Sequence, residues 1–165
     1  MRTRWSVYWV VAAMAALGLW APLQAQNPHN PESLDHFPQL TGVVTTSAGT
    51  QKFDIWLADT QARSEQGLMF VHSLDHDRGM LFPRNNGGPM AIWMKNTFIP
   101  LDILFVDAQG KIIYIRHNAT PLSEAIISVP SPILIPAAAV LELAGGECDR
   151  RHISQGDRLT ISKPH

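Results

Sequence analysis

The sequence predicts an all-β fold, either a compact β-sandwich or a distorted barrel of the jelly-roll type, with one short helix near residues 60–66. Three observations support this class. About eight short segments rich in β-branched and aromatic residues are separated by turn residues. Only the stretch DTQARSEQG has the pattern of a helix. Long helices do not alternate with the strands, as they would in a parallel α/β sheet.

The predicted strands are separated by turn signals such as AGT, RNNGGP and DAQG. They cover residues 41–47, 50–58, 79–83, 90–95, 99–107, 111–116, 137–144 and the end of 153–161. The tight turn at Ala108–Gly110 joins two strongly β-prone runs and makes the clearest hairpin. Residues 119–136 contain four prolines and are predicted to be an irregular excursion.

The one predicted helix extends from Thr60 to Gln66. Asp59 or Thr60 can cap its start, because a short side-chain oxygen there accepts a free backbone N–H. Gly67 can end it in a left-handed conformation that other residues adopt at a cost.

Residues 1–25 have the pattern of a secretory signal peptide. Two arginines come first, an apolar run extends from Val7 to Trp20, and small residues follow in PLQAQ. We expect cleavage after Ala25, because the apolar run is shorter than the ~20 residues that a membrane-spanning helix needs. The alternative is a segment that is kept as an anchor.

The rest of the chain is predicted to be a flexible leader and one domain. Residues 26–40 contain three prolines and little periodicity, which is typical of a leader. Residues 41–165 then form a single β domain. The predicted localisation is periplasmic or secreted, with no stable membrane span after signal cleavage.

Charge and cysteine content exclude two classes of protein. Loss of residues 1–25 removes two arginines, so the formal charge changes from −1 to −3. An acidic domain without a basic tract is not expected to bind nucleic acid. The single cysteine, Cys148, cannot form an internal disulfide, and its acidic neighbours Glu147 and Asp149 would raise its thiol pKa, which disfavours a nucleophile.

Several motifs in order resemble one family. They are RSEQGLMF, GMLF, WMKNTFIPLDILFVD, GKII, VLELAGG and GD, spread between Phe53 and Ile161. The chain thereby resembles the bacterial and archaeal domain of unknown function numbered 192. The resemblance implies a compact β-sandwich of jelly-roll type, often exported, with no assigned reaction. The chain follows the pattern loosely after His117 and in GECDRRH.

The most distinctive motif places polar residues in an apolar segment. Trp93, Lys95 and Asn96 precede a strand in which both faces are apolar, so Asp102 is expected to be buried and paired. One interpretation is a pocket for a small polar ligand, with the ring stacking and the polar groups orienting it. The other is a structural corner, in which Asn96 and Asp102 bond backbone groups and Lys95 pairs with Asp102.

Two further charged residues could belong to the same pocket. Arg63 lies within the predicted helix, and the pattern LEL puts Glu142 on the strand face opposite its leucines. Arg63 could pair with Glu142 or Asp102, or both side chains could point to solvent. An enzyme, a hydrolase or lyase on a cell-wall or sugar-like substrate, would need Arg63, Asp102 and Glu142 to converge beside Trp93.

A copper-handling role is the third possibility. Met69, Met80, Met90 and Met94 lie close in sequence to His72 and His76, and thioethers with imidazoles suit Cu(I). The apolar contexts of these methionines instead favour a core role, so no metal ligand is assigned.

The sequence as a whole predicts a non-enzymatic module of the cell envelope that binds a small ligand or acts as an accessory protein. Its partner would be a small polar ligand or an envelope protein. No cofactor and no catalytic residue are assigned, because the sequence has no nucleophile motif and no phosphate-binding loop.

Overall fold

The computed structural model describes residues 31–84, 88–131 and 133–163, so the predicted signal peptide lies outside the described residues. The described chain is mostly β-structure with a few short helical turns, which confirms the predicted all-β class. In chain order the elements are a 3-10 helix at Leu34–His36, β1 (Gln39–Thr46), β2 (Gly49–Leu57), α1 (Gln61–Gln66), β3 (Arg78–Pro83), β4 (Leu101–Val106), β5 (Ile112–Ala119), β6 (Ala139–Ala144), α2 (Glu147–Arg150) and β7 (Arg158–Ser162).

All seven strands belong to one curled sheet with the order β5-β4-β6-β3-β2-β1-β7. Only β2 and β3 pair in parallel, and the other neighbours are antiparallel. The two edge strands meet at one end, where Lys111 bridges to Arg158 and the Leu159 N–H donates to the Gly110 carbonyl at 2.7 Å. Of the two predicted architectures, the distorted barrel therefore describes this sheet.

The curled sheet buries a different apolar cluster on each face. The inner cluster takes side chains from all seven strands, among them Val44, Phe53, Leu104, Leu141 and Leu159. The outer cluster covers the middle of the sheet with the loops that cross it; its members include Met80, Met94, Ile103, Phe105 and Val140. The six residues of β4 are all buried, because the side chains of this strand enter the clusters on both faces of the sheet.

The predicted helix and hairpin are confirmed. The Thr60 side chain accepts the Arg63 N–H at 3.2 Å and caps α1, and Gly67 follows with a positive φ of 49°. At the hairpin, Asp107 Oδ1 accepts the backbone N–H groups of Gln109 and Lys111, and Gly110 has a φ of 79°.

The strand predicted at residues 90–95 is wrong. Ile92 forms a single bridge with Ile127, and the Met94 N–H donates to the Ser123 carbonyl at 2.9 Å. This segment thus pairs with the excursion outside the sheet, and it ends at Asn96, whose φ of 55° an extended strand does not allow. The apolar pattern is real, but it reflects packing on the outer cluster.

Two other elements differ from the prediction. α2 lies in the segment GECDRRH, which carried no helix signal long enough to recognise. β1 begins at Gln39, within the predicted leader, and Phe37 just before it is only 2% exposed.

Among the described residues, no helix has the length and apolarity needed to cross a membrane.

Candidate functional site

Asp102 lies on the inner face of the sheet, fully buried. Between the pairs Leu101–Ala119 and Ile103–Arg116, β5 has two residues where β4 has one, which is a β-bulge. Asp102 Oδ1 accepts the Asn118 N–H that this bulge leaves out of the ladder, at 2.8 Å.

The second oxygen of Asp102 serves α2. Asp102 Oδ2 accepts the Cys148 N–H at 2.8 Å, one of the N–H groups that the first turn of a helix leaves without a partner. Asp102 therefore joins β4, β5 and α2 through two backbone bonds. Burial, and after it the charge of Asp102, raises the pKa of the Cys148 thiol, so this cysteine is not a reactive thiolate.

The predicted ion pair between Lys95 and Asp102 is wrong. The two acceptors of Asp102 are taken by backbone groups on the inner face, whereas the Lys95 Nζ lies 5.0 Å from the centroid of the Trp93 ring. The backbone part of the structural interpretation is confirmed for Asp102.

Arg63 on α1 forms a surface cluster of its own. Its guanidinium bonds Glu32 at 3.0 and 3.2 Å and Asp59 at 2.8 Å, and its Cζ lies 5.2 Å from the centre of the Phe37 ring. The hydrogen bonds that Arg63 donates to Glu32 and Asp59 raise the pKa of its guanidinium. The predicted pairing of Arg63 with Glu142 or Asp102 is therefore wrong, and Arg63 instead holds the segment before β1 against α1.

Asn96 shapes the loop that follows Lys95. Its φ is 55°, its carbonyl accepts the Phe70 N–H at 2.8 Å, and its Nδ2 lies 3.9 Å from the Met69 sulfur. Asn tolerates this left-handed conformation better than most residues do. Asn96 thus fixes the turn between Lys95 and Thr97, two residues that line a cavity, without lining that cavity itself.

Three of the six candidate residues, Trp93, Lys95 and Glu142, line one cavity of about 90 Å³ on the outer face of the sheet. Residues 64–69, from α1 and the loop after it, form another wall, together with Phe82 of β3. The volume corresponds to about three water molecules. The cavity therefore has room for a ligand of a few non-hydrogen atoms.

Trp93 and Lys95 form the rim of this cavity. Trp93 is 44% exposed, and the Lys95 ammonium lies over its face, where the electron-rich ring attracts a cation. No described carboxylate pairs with Lys95. Its N–H donors are thus available to a group that enters the cavity.

Glu142, in the middle of β6, is the buried residue among the three candidates that line the cavity. Its side chain is 5% exposed, and its cross-strand neighbours on the same face are the apolar residues Met80 and Ile103. It makes no hydrogen bond or ion pair with any residue that the structure describes. Burial raises the pKa of Glu142 to about 8, so the carboxyl is mostly protonated at neutral pH.

The convergence that the hydrolase or lyase hypothesis requires does not occur. Asp102 faces the inner cluster, Glu142 the cavity on the outer face, and Arg63 its own carboxylates. The cavity also contains residues that sequence reasoning missed, among them Ser64, Glu65 and Thr97. In the sequence, only their position in the motifs RSEQGLMF and WMKNTF could have indicated that these residues belong to the site.

The residues considered for copper are scattered. Met80 and Met94 are fully buried in the outer cluster. His72 packs on the Phe98 ring at 5.0 Å, and His76 Nδ1 lies 2.7 Å from Glu147 Oε1. Within residues 31–84, 88–131 and 133–163, no three His, Cys, Asp or Glu side chains are grouped as metal ligands would be.

Solved structures of similar proteins share this fold. One is a crystal structure from Sinorhizobium meliloti, provisionally described as a transcription regulator, with 40% sequence identity and a TM-score of 0.71 over 76% of this chain and 95% of that one. Another is a protein of unknown function from Novosphingobium aromaticivorans, with 37% identity and a TM-score of 0.69 over 74% of this chain and 84% of that one. Comparison with curated proteins gives no match.

The family comparison agrees with the motifs. The family model DUF192, described as "Uncharacterized ACR", matches residues 43–161. This range includes the whole of β2 to β6, all the cavity residues and Asp102. The chain belongs to the DUF192 family of uncharacterised proteins.

Proposed function

We propose that this protein is a non-enzymatic module that binds a small polar ligand in the cavity between α1, the Trp93–Lys95 rim and β6. The observation that carries the proposal is Glu142, a buried carboxyl group that faces a cavity without a hydrogen-bond partner among the described residues. Most buried polar groups in proteins are hydrogen-bonded, because a buried polar group without a hydrogen-bond partner costs free energy. A bound ligand would satisfy this group.

Binding is favoured over catalysis by what surrounds the cavity. An acid–base mechanism needs a second titratable group within hydrogen-bond reach of the reacting atoms. Asp102 lies on the other face of the sheet, and Glu65, which also lines the cavity, is exposed and accepts a bond from Gln61. Lys95, the other titratable residue of the cavity, lies over the Trp93 ring at the rim, so the described cavity residues supply recognition groups and no second buried carboxyl group for acid–base chemistry.

We also propose that the protein is exported to the periplasm or secreted. The support is the basic, apolar and small-residue order of residues 1–25. Fractionation of cells that express the full chain, followed by N-terminal sequencing, tests this proposal. We expect the exported fraction to begin at Gln26. A full-length protein in the cytosol would contradict it.

A role in nucleic-acid binding is not proposed, although one structural neighbour is provisionally described as a transcription regulator. Residues 26–165 carry a formal charge of −3. Four arginines are held by carboxylates, which leaves fewer cations for phosphate groups. Retardation of DNA by the purified protein at physiological salt would contradict this view.

A thermal-shift screen tests the ligand proposal. The panel contains sugars, cell-wall fragments, small carboxylates, Cu(I), Zn²⁺ and Ca²⁺. We compare the wild type with Lys95→Ala and with Lys111→Ala, a matched control that removes an exposed lysine outside the cavity lining. A compound that stabilises the wild type and the control, but not Lys95→Ala, is expected. No shift with any compound would overturn the proposal.

A further inference from the structure

Two groups that line the cavity carry hydrogen-bond donors with no acceptor among the described residues. Lys95 at the rim carries an ammonium group that lies over the Trp93 ring and pairs with no described carboxylate. Glu142 at the base is a carboxyl group held in apolar surroundings, between Met80 and Ile103. No cation among the described residues lies within ion-pair distance of it. Such a carboxyl keeps its proton at neutral pH and presents an O–H donor.

One other charged group faces the same space. Glu65 of α1 lines the cavity, but it is exposed to solvent and its Oε1 already accepts the Gln61 Nε2 donor at 2.8 Å. Solvent screens its charge, so its effect on a ligand at the base is small. The donors of Lys95 and Glu142 therefore decide which ligand fits.

We propose that the ligand is a small carboxylic acid that binds as its carboxylate. One oxygen of this carboxylate accepts a hydrogen bond from the protonated Glu142, and the Lys95 ammonium balances its negative charge. This inference rests on the proposed function and names the chemical class of its ligand. An O–H···O⁻ bond between a carboxylic acid and a carboxylate is short and strong. No covalent bond is made or broken, and the single proton stays between the two carboxyl groups.

The other ligand classes fit the same groups less well. A cation would lie beside the Lys95 ammonium and would need Glu142 to lose its proton in an apolar site. A sugar offers hydroxyl groups but no charge for Lys95, and a cavity of about 90 Å³ is small for a whole ring. A short carboxylate offers an acceptor and a negative charge to these donors, and it is small enough for that volume.

Proton linkage gives the proposal a quantitative signature. Burial raises the pKa of Glu142 to about 8, so the protonated form falls from most of the population at pH 7 to a minority at pH 9. Because only that form donates to the ligand, the affinity should fall about tenfold between these pH values. Binding at pH 9 should also take up close to one proton from the buffer.

Calorimetric titration of the purified protein with acetate, propionate and glycolate measures both effects. Acetamide and ethylammonium serve as the neutral and cationic counterparts. Titrations at pH 7 and pH 9, each in two buffers of different ionisation enthalpy, give the affinity and the proton uptake. We expect a carboxylate to bind at least tenfold more tightly than its amide, and to bind about tenfold more weakly at pH 9.

The variant Glu142→Gln separates this inference from a general pH effect. Its amide keeps a donor in the same place but does not titrate. We expect it to fold, to bind the carboxylate, and to show nearly the same affinity at pH 7 and pH 9. The same tenfold change in this variant would overturn the inference, and so would equal wild-type affinities at the two pH values.

The remaining outcomes distinguish the two proposals. A sugar or an amine that binds in a manner sensitive to Lys95→Ala would keep the ligand-binding function and overturn the carboxylate. No binding of any compound from the titrations or the wider thermal-shift panel would overturn both.

Discussion

Asp102 and Glu142 are both buried carboxyl groups in the middle of one sheet, on neighbouring strands, yet they have opposite environments. Glu142 pairs with Ile103, the residue after Asp102, so the two side chains point to opposite faces. Asp102 accepts two backbone N–H groups at 2.8 Å. Glu142 accepts none from the described residues and faces a cavity.

The difference shows that burial alone does not separate a structural carboxylate from one that can serve a ligand. In the sequence, each is a single acidic residue in an apolar run, LDILFV or VLELAGG. The partners of Asp102 are 16 and 46 residues away, and they become visible only when the β-bulge and α2 are in place. The hydrogen-bond partners, not the burial, distinguish the two residues.

The largest expected effect is the pH dependence of stability that Glu142 causes. Its pKa rises from 4.5 to about 8 on folding, so the folded state binds more protons between these values. This contribution to stability is complete below pH 4.5 and is lost as pH rises to 8, at about 1.4 kcal/mol per pH unit and at most about 5 kcal/mol in total.

Glu142→Gln isolates that contribution. We expect the variant and the wild type to be similarly stable at pH 5 in denaturant unfolding, and the variant to be the more stable by several kcal/mol at pH 9. If the difference in stability between the variant and the wild type is the same from pH 5 to pH 9, Glu142 is ionised in the folded state. The contrast with Asp102 would then disappear.

Asp102→Ala should destabilise the fold by about 3 kcal/mol at pH 7, since it leaves the buried N–H groups of Asn118 and Cys148 without acceptors. Urea unfolding measures the change. Asp102→Asn is the control: it keeps one acceptor and should lose about 2 kcal/mol. A wild-type midpoint for Asp102→Ala would place Asp102 among residues kept for function.

Arg63→Ala should lower the melting temperature by less than Asp102→Ala, because Arg63 is paired with Glu32 and Asp59 at the surface. Its loss frees the segment before β1 from α1 and should leave ligand binding unchanged. Arg63→Lys keeps the charge but not the forked geometry, so its melting temperature should lie between those of the wild type and Arg63→Ala. A larger fall in melting temperature for Arg63→Ala than for Asp102→Ala would contradict this prediction.

Lys95→Ala should have the smallest effect on stability, less than about 1 kcal/mol, because its contact with the Trp93 ring is at the surface. Its effect should fall on ligand binding instead. A strongly destabilised Lys95→Ala, measured in the absence of any ligand, would make Lys95 a structural residue like Asp102.

Local patterns predicted the fold where the sequence carries the relevant information. The alternation in LDILFV predicted apolar surroundings on both faces of β4, and Leu104 and Ile103 indeed belong to opposite clusters. The cap at Thr60 and the positive φ at Gly67 were predictable because they depend on adjacent residues.

The site was only partly predictable, because its geometry depends on long-range register. Lys95 and Asp102 are close in sequence, but β4 turns Asp102 to the inner face, away from the loop that carries Lys95. Glu142 reaches the cavity because β6 lies between β3 and β4, an order that no local pattern states. The segment at residues 90–95 has the composition of a strand and pairs with a loop instead.

The strand order also decides when this domain can become stable. β1 pairs on one side with β2, the next strand in the chain, and on the other with β7, so that Thr41 is opposite Ser162. Nearly the whole domain must be made before β1 gains its second neighbour, and closing so long a loop is slow. The sheet is thus completed only after synthesis of its last strand, which supplies the outer neighbour of β1.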